Sequence, residues 1–210
     1  MEHHHISTHT VSGETFDRTE DIVDQYHDKI NLYLERLLWW NSRLNLVSRN
    51  VPRETILQHI RHSLLLSQFD AFINAELIVD AGTGGGLPGL PLAITHPDKH
   101  LVLNDLVTKK CLAIKQMAQK LQLKNIGIID GSIEHLEQDQ SFLLISKHAF
   151  KISDLIQMTS HLPWQKIVLY KGASFEQELE DISTPLNINC YNLSGYSEFY
   201  EGKSILVISR

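Results

Sequence analysis

Asp80-Ala81-Gly82-Thr83-Gly84-Gly85-Gly86-Leu87-Pro88-Gly89 is the stretch on which the fold of this chain turns. The apolar run at residues 77–80 before it reads as a strand, and residues 88–95 after it read as a helix. Glycines between a strand and a helix let the backbone bend sharply and let a ligand approach it closely. The helix that follows offers free N–H groups in its first turn. The next apolar run, residues 101–105, ends in Asp105, a carboxylate that can accept hydrogen bonds from both hydroxyls of a ribose. Such a turn alone can merely join a strand to a helix. The turn and Asp105 together point to a nucleoside-bearing ligand.

The chemistry of the turn narrows that ligand. The dinucleotide fingerprint GxGxxG needs a third glycine where this chain has Leu87, so a nicotinamide-dependent oxidoreductase fits poorly. No GK[ST] occurs, so there is no phosphate-cradling loop of the nucleotide triphosphatase kind. An acid, Asp80, stands two residues before the first glycine, which is the pattern of S-adenosylmethionine sites. That molecule has no pyrophosphate, but it has a cationic amino-acid end and a sulfonium that negative charge at Asp80 can face.

Working outward, short apolar runs at 77–80, 101–105, 126–130, 142–146 and 167–170 alternate with helical stretches near 88–95, 108–121, 133–137 and 152–162. This alternation predicts a mostly parallel sheet wrapped by helices. After a helix near 175–182, two runs at 188–193 and 204–208 enclose Gly195 and Gly202 and predict a closing antiparallel hairpin. The expected fold is α/β and Rossmann-like: a mostly parallel seven-stranded sheet with a C-terminal antiparallel hairpin, spanning residues 71–210. Upstream, Val23, Tyr26, Ile30, Tyr33, Leu37, Trp40 and Leu44 form one apolar helical stripe. A second helix is expected from Pro52 to about residue 69, giving an N-terminal helical cap over 19–70. Residues 1–18, with His3, His4, His5 and His9, read as a purification tag or frayed tail rather than a metal site.

Composition bounds the rest. The chain has 210 residues, 42% hydrophobic and 21% charged, enough for a substantial core. A net charge of −6 excludes binding to nucleic acid by bulk charge, though not through a local basic face. Two cysteines, Cys111 and Cys190, without CxxC, argue against a disulfide framework or a thiolate metal site, and fit a cytoplasmic protein without a bound metal. Cys111 shares a helix face with Ile114, Ala118 and Leu121 and reads as a packed thiol. No run reaches the roughly 18 apolar residues of a membrane span.

The sequence resembles the small-subunit (16S) ribosomal RNA 7-methylguanine methyltransferases, the glucose-inhibited division protein B family, from about residue 22 to the C-terminus. Its strongest piece is Gly82-Thr83-Gly84-Gly85-Gly86-Leu87-Pro88-Gly89-Leu90-Pro91-Leu92. Support comes from Trp40-Asn41, Asn45-Leu46-Val47-Ser48, His59-Ile60, Ser63-Leu64, Lys109-Lys110, Ile133-Glu134 and Lys171-Gly172. The resemblance implies a class I methyltransferase with S-adenosylmethionine along Asp80, Gly82, Gly84, Gly86 and Leu87. It places the ribose at Asp105, the adenine beside Ile133 and Glu134, and His148 among the donor contacts. Where the family usually reads Ser-Arg-Ala after the fourth strand, this chain has Ser146-Lys147-His148-Ala149, and His62 stands where many members carry Asp.

The implied reaction moves a methyl group to N7 of a guanine in small-subunit ribosomal RNA, free or in a 30S-type particle, with no stable protein partner expected. N7 carries a lone pair and no proton, so no general base is required and no catalytic residue is assigned. Lysines cluster between Lys99 and Lys124, and Lys109, Lys110, Lys147 and Lys171 are the expected RNA contacts. Trp39 and Trp40 could stack bases, although Trp40 falls on the apolar stripe and reads as packing. A non-catalytic RNA-binding assembly factor on the same fold and a small-molecule methyltransferase are the alternatives.

Overall fold

The computed structural model describes residues 4–48, 50–172 and 174–209. Its strands are β1 (His5–Thr10), β2 (Leu77–Ala81), β3 (His100–Asp105), β4 (Ile126–Asp130), β5 (Phe142–Lys147), β6 (Trp164–Gly172), β7 (Asn187–Asn192) and β8 (Lys203–Ser209). Its helices are α1 (Gly13–Gln25), α2 (His27–Asn41), α3 (Arg53–Leu64), α4 (Asp70–Ile73), α5 (Gly89–Thr95), α6 (Thr108–Lys120) and α7 (Ile152–Met158). The strands form one sheet in the order β1-β7-β8-β6-β5-β2-β3-β4. All neighbours run parallel except β8, which is antiparallel to β6 and to β7.

The period-2 alternation of a strand explains how both faces are buried. Ile78, Leu143 and Ile145 face a core shared with Ile30, Leu37 and Ile60 of the N-terminal helices. Leu77, Val79, Phe142 and Leu144 face the opposite core, with Ile152 and Leu155 of α7. The helical cap is therefore continuous with one sheet face. The Tyr170 hydroxyl of β6 donates to the Ser63 carbonyl of α3 at 2.7 Å and ties the two together.

The expectations for the N-terminal stretch are corrected. The sheet has eight strands rather than seven, and the eighth is β1, inside the stretch expected to be a tag or tail. It pairs in parallel with β7, and the His9 ring stacks on Tyr191 with centroids 5.0 Å apart. Five of its six side chains are exposed, so no buried face gives it a hydropathy signal and backbone pairing holds it in place. His3 lies outside the described residues. The first helix also begins at Gly13, capped by Ser12, rather than near residue 19.

The single apolar stripe is carried by two helices that meet at Tyr26, where φ is −107° and ψ 19°. Val23, Ile30, Tyr33 and Leu37 are nonetheless all buried in one core. The expected helices at 133–137 and 175–182 shrink to single 3-10 turns, Ile133–His135 and Phe175–Leu179. The hairpin expected at the C-terminus forms as β7 and β8, with Cys190 opposite Leu206.

The order of connection reverses between β5 and β2. In parallel sheets the loops leaving the carboxyl ends of such a strand pair diverge and open a crevice. The glycine turn leaves β2 at that point.

Candidate functional site

The crevice is a cavity of about 600 Å3. Its walls come from the turns after β2, β3, β4 and β5 and from the cap, which supplies Leu46, Val47, Ser48, Val51, Ile56 and His59.

The glycine turn forms the floor. Gly82 and Gly84 have φ of 69° and 58°, the left-handed region that glycine enters without strain. A side-chain carbon on Gly82 would come within 2.5 Å of Ala149 Cβ and 2.9 Å of the Phe150 ring, so the turn after β5 is packed onto that glycine. The turn is held from below and from above. The buried Asp80 Oδ2 accepts from the Thr83 hydroxyl at 2.7 Å and from the Gly89 N–H at 2.9 Å. The Tyr33 hydroxyl of α2 donates to the Gly85 carbonyl at 3.0 Å.

Asp105 ends β3 and lies 5% exposed in the cavity wall. Its Oδ2 accepts from the Gly84 N–H and its Oδ1 from the Val107 N–H, both at 2.9 Å. These bonds fix the carboxylate beside the turn, and each oxygen keeps a further lone pair for a hydroxyl. Lys110 Nζ stands 3.8 Å from Oδ2. Ile133 is buried and lines the cavity next to Gly131 and Ser132. Asn104 fastens that turn by donating to the Gly131 carbonyl at 3.0 Å and the Ile129 carbonyl at 3.2 Å.

The β5 side of the cavity is cationic. Lys147 Nζ donates to His59 Nδ1 at 3.1 Å, and His148 lines the same wall with φ of 56°. Burial, opposed by attraction to Asp80, brings Lys147 down to about 8. Burial and the nearby Lys147 hold both His59 and His148 at about 4.

The expected site residues divide. Gly82, Gly84, Leu87, Asp105, Ile133 and His148 converge on the cavity, together with Lys110 and Lys147. Asp80 is wholly buried beneath the turn; it shapes the turn rather than facing a ligand. Burial pushes its carboxyl up to about 7, against the downward pull of its bonds from Thr83 and Gly89. Gly86 lies outside the lining, and Glu134 is exposed and outside it too. Lys109 is exposed on the first turn of α6, away from the cavity wall. Lys171 is 6% exposed and bonded at 2.5 Å to Glu178, so its ammonium is already paired inside the fold. The first turn of α5 offers no free N–H at Gly89, because Asp80 has taken it.

Several contributors carried no role in the sequence reading. Asn41 accepts from the Leu46 and Val47 N–H groups, both at 2.9 Å, and folds the cap loop over the cavity. An asparagine in the last turn of a helix is a local signal for such a hook. Asn104, Phe150 and Met158 have no comparable sequence signal. Trp39 proves exposed, with the Arg43 guanidinium 3.8 Å over its ring, whereas Trp40 is partly buried. Both cysteines are buried and free. Among the described residues, no group of three or more His, Cys, Asp or Glu side chains could hold a metal, and no helix is long and apolar enough to cross a membrane.

The sequence profile of the family described as rRNA small subunit methyltransferase G matches residues 26–204. The chain belongs to the rRNA small subunit methyltransferase G family. A relative carrying that name in Chlorobium phaeobacteroides is 31% identical over 195 residues, covering 88% of this chain and 87% of its own. Another, from Mannheimia succiniciproducens, is 35% identical over 170 residues, covering 80% and 78%. In fold, the human methyltransferase 10 domain containing protein superposes with a TM-score of 0.54 at 12% identity, covering 88% of this chain and 97% of that one. As in this family, the methyl donor is S-adenosylmethionine. The cavity has the features such a molecule would use: carboxylate oxygens of Asp105 with spare lone pairs, the apolar side chain of Ile133, and an open glycine turn on the same lining.

Proposed function

We propose that this protein transfers the methyl group of S-adenosylmethionine to N7 of a guanine in small-subunit ribosomal RNA. The observation that carries the reading is the cavity at the strand reversal, where Asp105 is fixed against Gly84 in a chain that matches this family over residues 26–204. The donor supplies an electrophilic methyl group. The guanine supplies a lone pair at N7, so no side chain needs to remove a proton. What remains for the protein is to hold the two reactants in line, which for well-oriented groups accounts for several kcal/mol of a barrier.

The residues assigned to the donor are Gly82, Gly84, Leu87, Asp105 and Ile133; His148, expected among the donor contacts, stands across the cavity beside Lys147. Lys110 and Lys147 are assigned to the RNA side. The division into a helical cap at 19–70 and a methyltransferase domain at 71–210 follows the same reading. The target base must leave its stack to reach the cavity. Free ribosomal RNA and a 30S-type particle are both substrates of the right chemistry, and the reaction belongs in the cytoplasm, without a stable protein partner.

The test incubates the protein and S-adenosylmethionine with deproteinised small-subunit RNA and, separately, with small subunits, then measures methylated nucleosides by mass spectrometry. The expected product is 7-methylguanosine in at least one arm. Methylation at another atom or base, or none in either arm, overturns the assignment.

A further inference from the structure

Asp105 and Lys147 lie on opposite sides of β2, because the sheet order is β5-β2-β3. The cavity therefore has an acidic wall and a cationic wall. On the cationic wall Lys147 and His59 share a hydrogen bond at 3.1 Å, and His148 follows Lys147 directly. No carboxylate lies within ion-pair distance of Lys147, His59 or His148 among the described residues. Two further cations stand behind them. Lys203 donates to the Phe199 carbonyl, and Lys171 is engaged by Glu178. Asp80, buried beneath the turn, attracts Lys147 without reaching ion-pair distance, so the cation in the cleft wall can still take an anion from the open side.

The geometry points to an oxyanion site on this wall: Lys147, with the His59 and His148 imidazoles beside it, takes a backbone phosphate of the RNA strand that carries the target base. This rests on the RNA reading above. The donor's amino-acid end also has an anionic oxygen group, its carboxylate. That molecule as a whole is a net cation, with an ammonium and a sulfonium against one carboxylate, and a cationic wall favours the polyanion over it.

Charge on this wall depends on pH. His59 faces Lys147, His148 and Lys203; His148 faces Lys147, Lys171 and Lys203; Lys147 faces Asp80 and Lys203. Near pH 7 both imidazoles, held at about 4, are neutral, and Lys147, at about 8, is mostly charged. An arriving anion favours every protonated form. RNA affinity then falls as pH rises past about 8, and rises as pH falls toward 4.

The test measures binding of small-subunit ribosomal RNA to the parent, Lys147→Met, Lys147→Arg and His148→Asn, at several salt concentrations and from pH 5 to 9. Asparagine suits the left-handed backbone at His148. Donor affinity is measured in parallel by calorimetry. Lys147→Met is expected to weaken RNA binding at least fivefold, to flatten the salt slope by about 0.7, and to remove the loss above pH 8. Lys147→Arg should keep the affinity and its salt slope, because it keeps the charge. His148→Asn should reduce the gain at acid pH. Donor affinity should move by less than twofold in Lys147→Met. Equal RNA affinities with parallel salt curves overturn the site, as does loss of donor binding with RNA binding intact, which would assign the anion to the donor's carboxylate. A parent that binds no small-subunit RNA overturns the functional reading itself; a binding parent indifferent to Lys147 overturns this site alone.

Discussion

Asp80 is the penultimate residue of β2 and Asp105 the last of β3, and their surroundings give them different work. Asp105 sits in the cavity wall with its oxygens oriented by two backbone N–H groups. Asp105→Ala is expected to weaken S-adenosylmethionine binding by about 1.5–3 kcal/mol, the range for hydrogen bonds to a charged acceptor. Asp105→Asn should lose less, and calorimetry of both variants checks this. Asp80 is buried and its pKa rises from 3.8 to about 7. Between those values the folded protein holds a proton that the unfolded chain releases, so stability from this group is full below about pH 4 and lost as pH rises through 7. Asp80→Asn keeps an acceptor for Thr83 and Gly89. Its melting temperature at pH 8 should equal or exceed the parent's, and a clear fall there would mean that the ionised carboxylate stabilises the turn. Both acids were legible in the sequence as carboxylates at the ends of apolar runs, Asp80 just before the glycines. That one lies under the turn and the other beside it was not, because strand-end position alone does not tell which oxygens the turn folds back upon.

At the scale of elements, the cap loop is the feature to test. Asn41 holds it through two N–H acceptor bonds and a 3.3 Å bond from its amide to the Ser48 carbonyl. Asn41→Asp keeps both acceptor bonds and should retain donor affinity within a few-fold. Asn41→Ala removes all three bonds, frees residues 46–48, and should weaken donor binding about tenfold while α2 persists by circular dichroism. Equal affinities in the two variants would remove the loop from the site. The strands of the parallel sheet were legible because each is an apolar run buried on both faces, and the hairpin because two glycines separate paired apolar runs. The edge strand β1 was not, since it buries almost no side chain. The join between α1 and α2 at Tyr26 was not either, because the apolar stripe continues across it and hydrophobic period says nothing about one residue's backbone angles.

At the scale of the molecule, three desolvated histidines, of which only His62 is wholly buried, set the response to acid. His59 and His148 are held at about 4, and His62, fully buried, well below its ordinary 6.5. In each case desolvation is the largest cause. The unfolded chain binds protons between 6.5 and 4 that the folded protein refuses, so stability from these groups is present above 6.5 and lost as pH falls toward 4. Three imidazoles outweigh the opposite slope of Asp80. Among the described residues neither His62 ring nitrogen has a hydrogen-bond partner, and the ring meets Tyr170, Phe199 and Tyr200 edge-on. Replacing it by leucine removes that desolvation cost, so His62→Leu is expected to stabilise the protein by about 1 kcal/mol at neutral pH and more at pH 5. Urea unfolding at the two pH values checks this, and a destabilised variant at pH 5 would contradict it.

The central claim joins the cavity at the strand reversal to a mark on ribosomal RNA. It is tested most directly by mass spectrometry of small-subunit ribosomal RNA from cells lacking this protein, complemented with the parent or with Asp105→Ala. One 7-methylguanosine should disappear without the protein, return with the parent, and remain absent or strongly reduced with Asp105→Ala. RNA that keeps all of its 7-methylguanosine without the protein, or full restoration by Asp105→Ala at equal protein levels, would contradict the account.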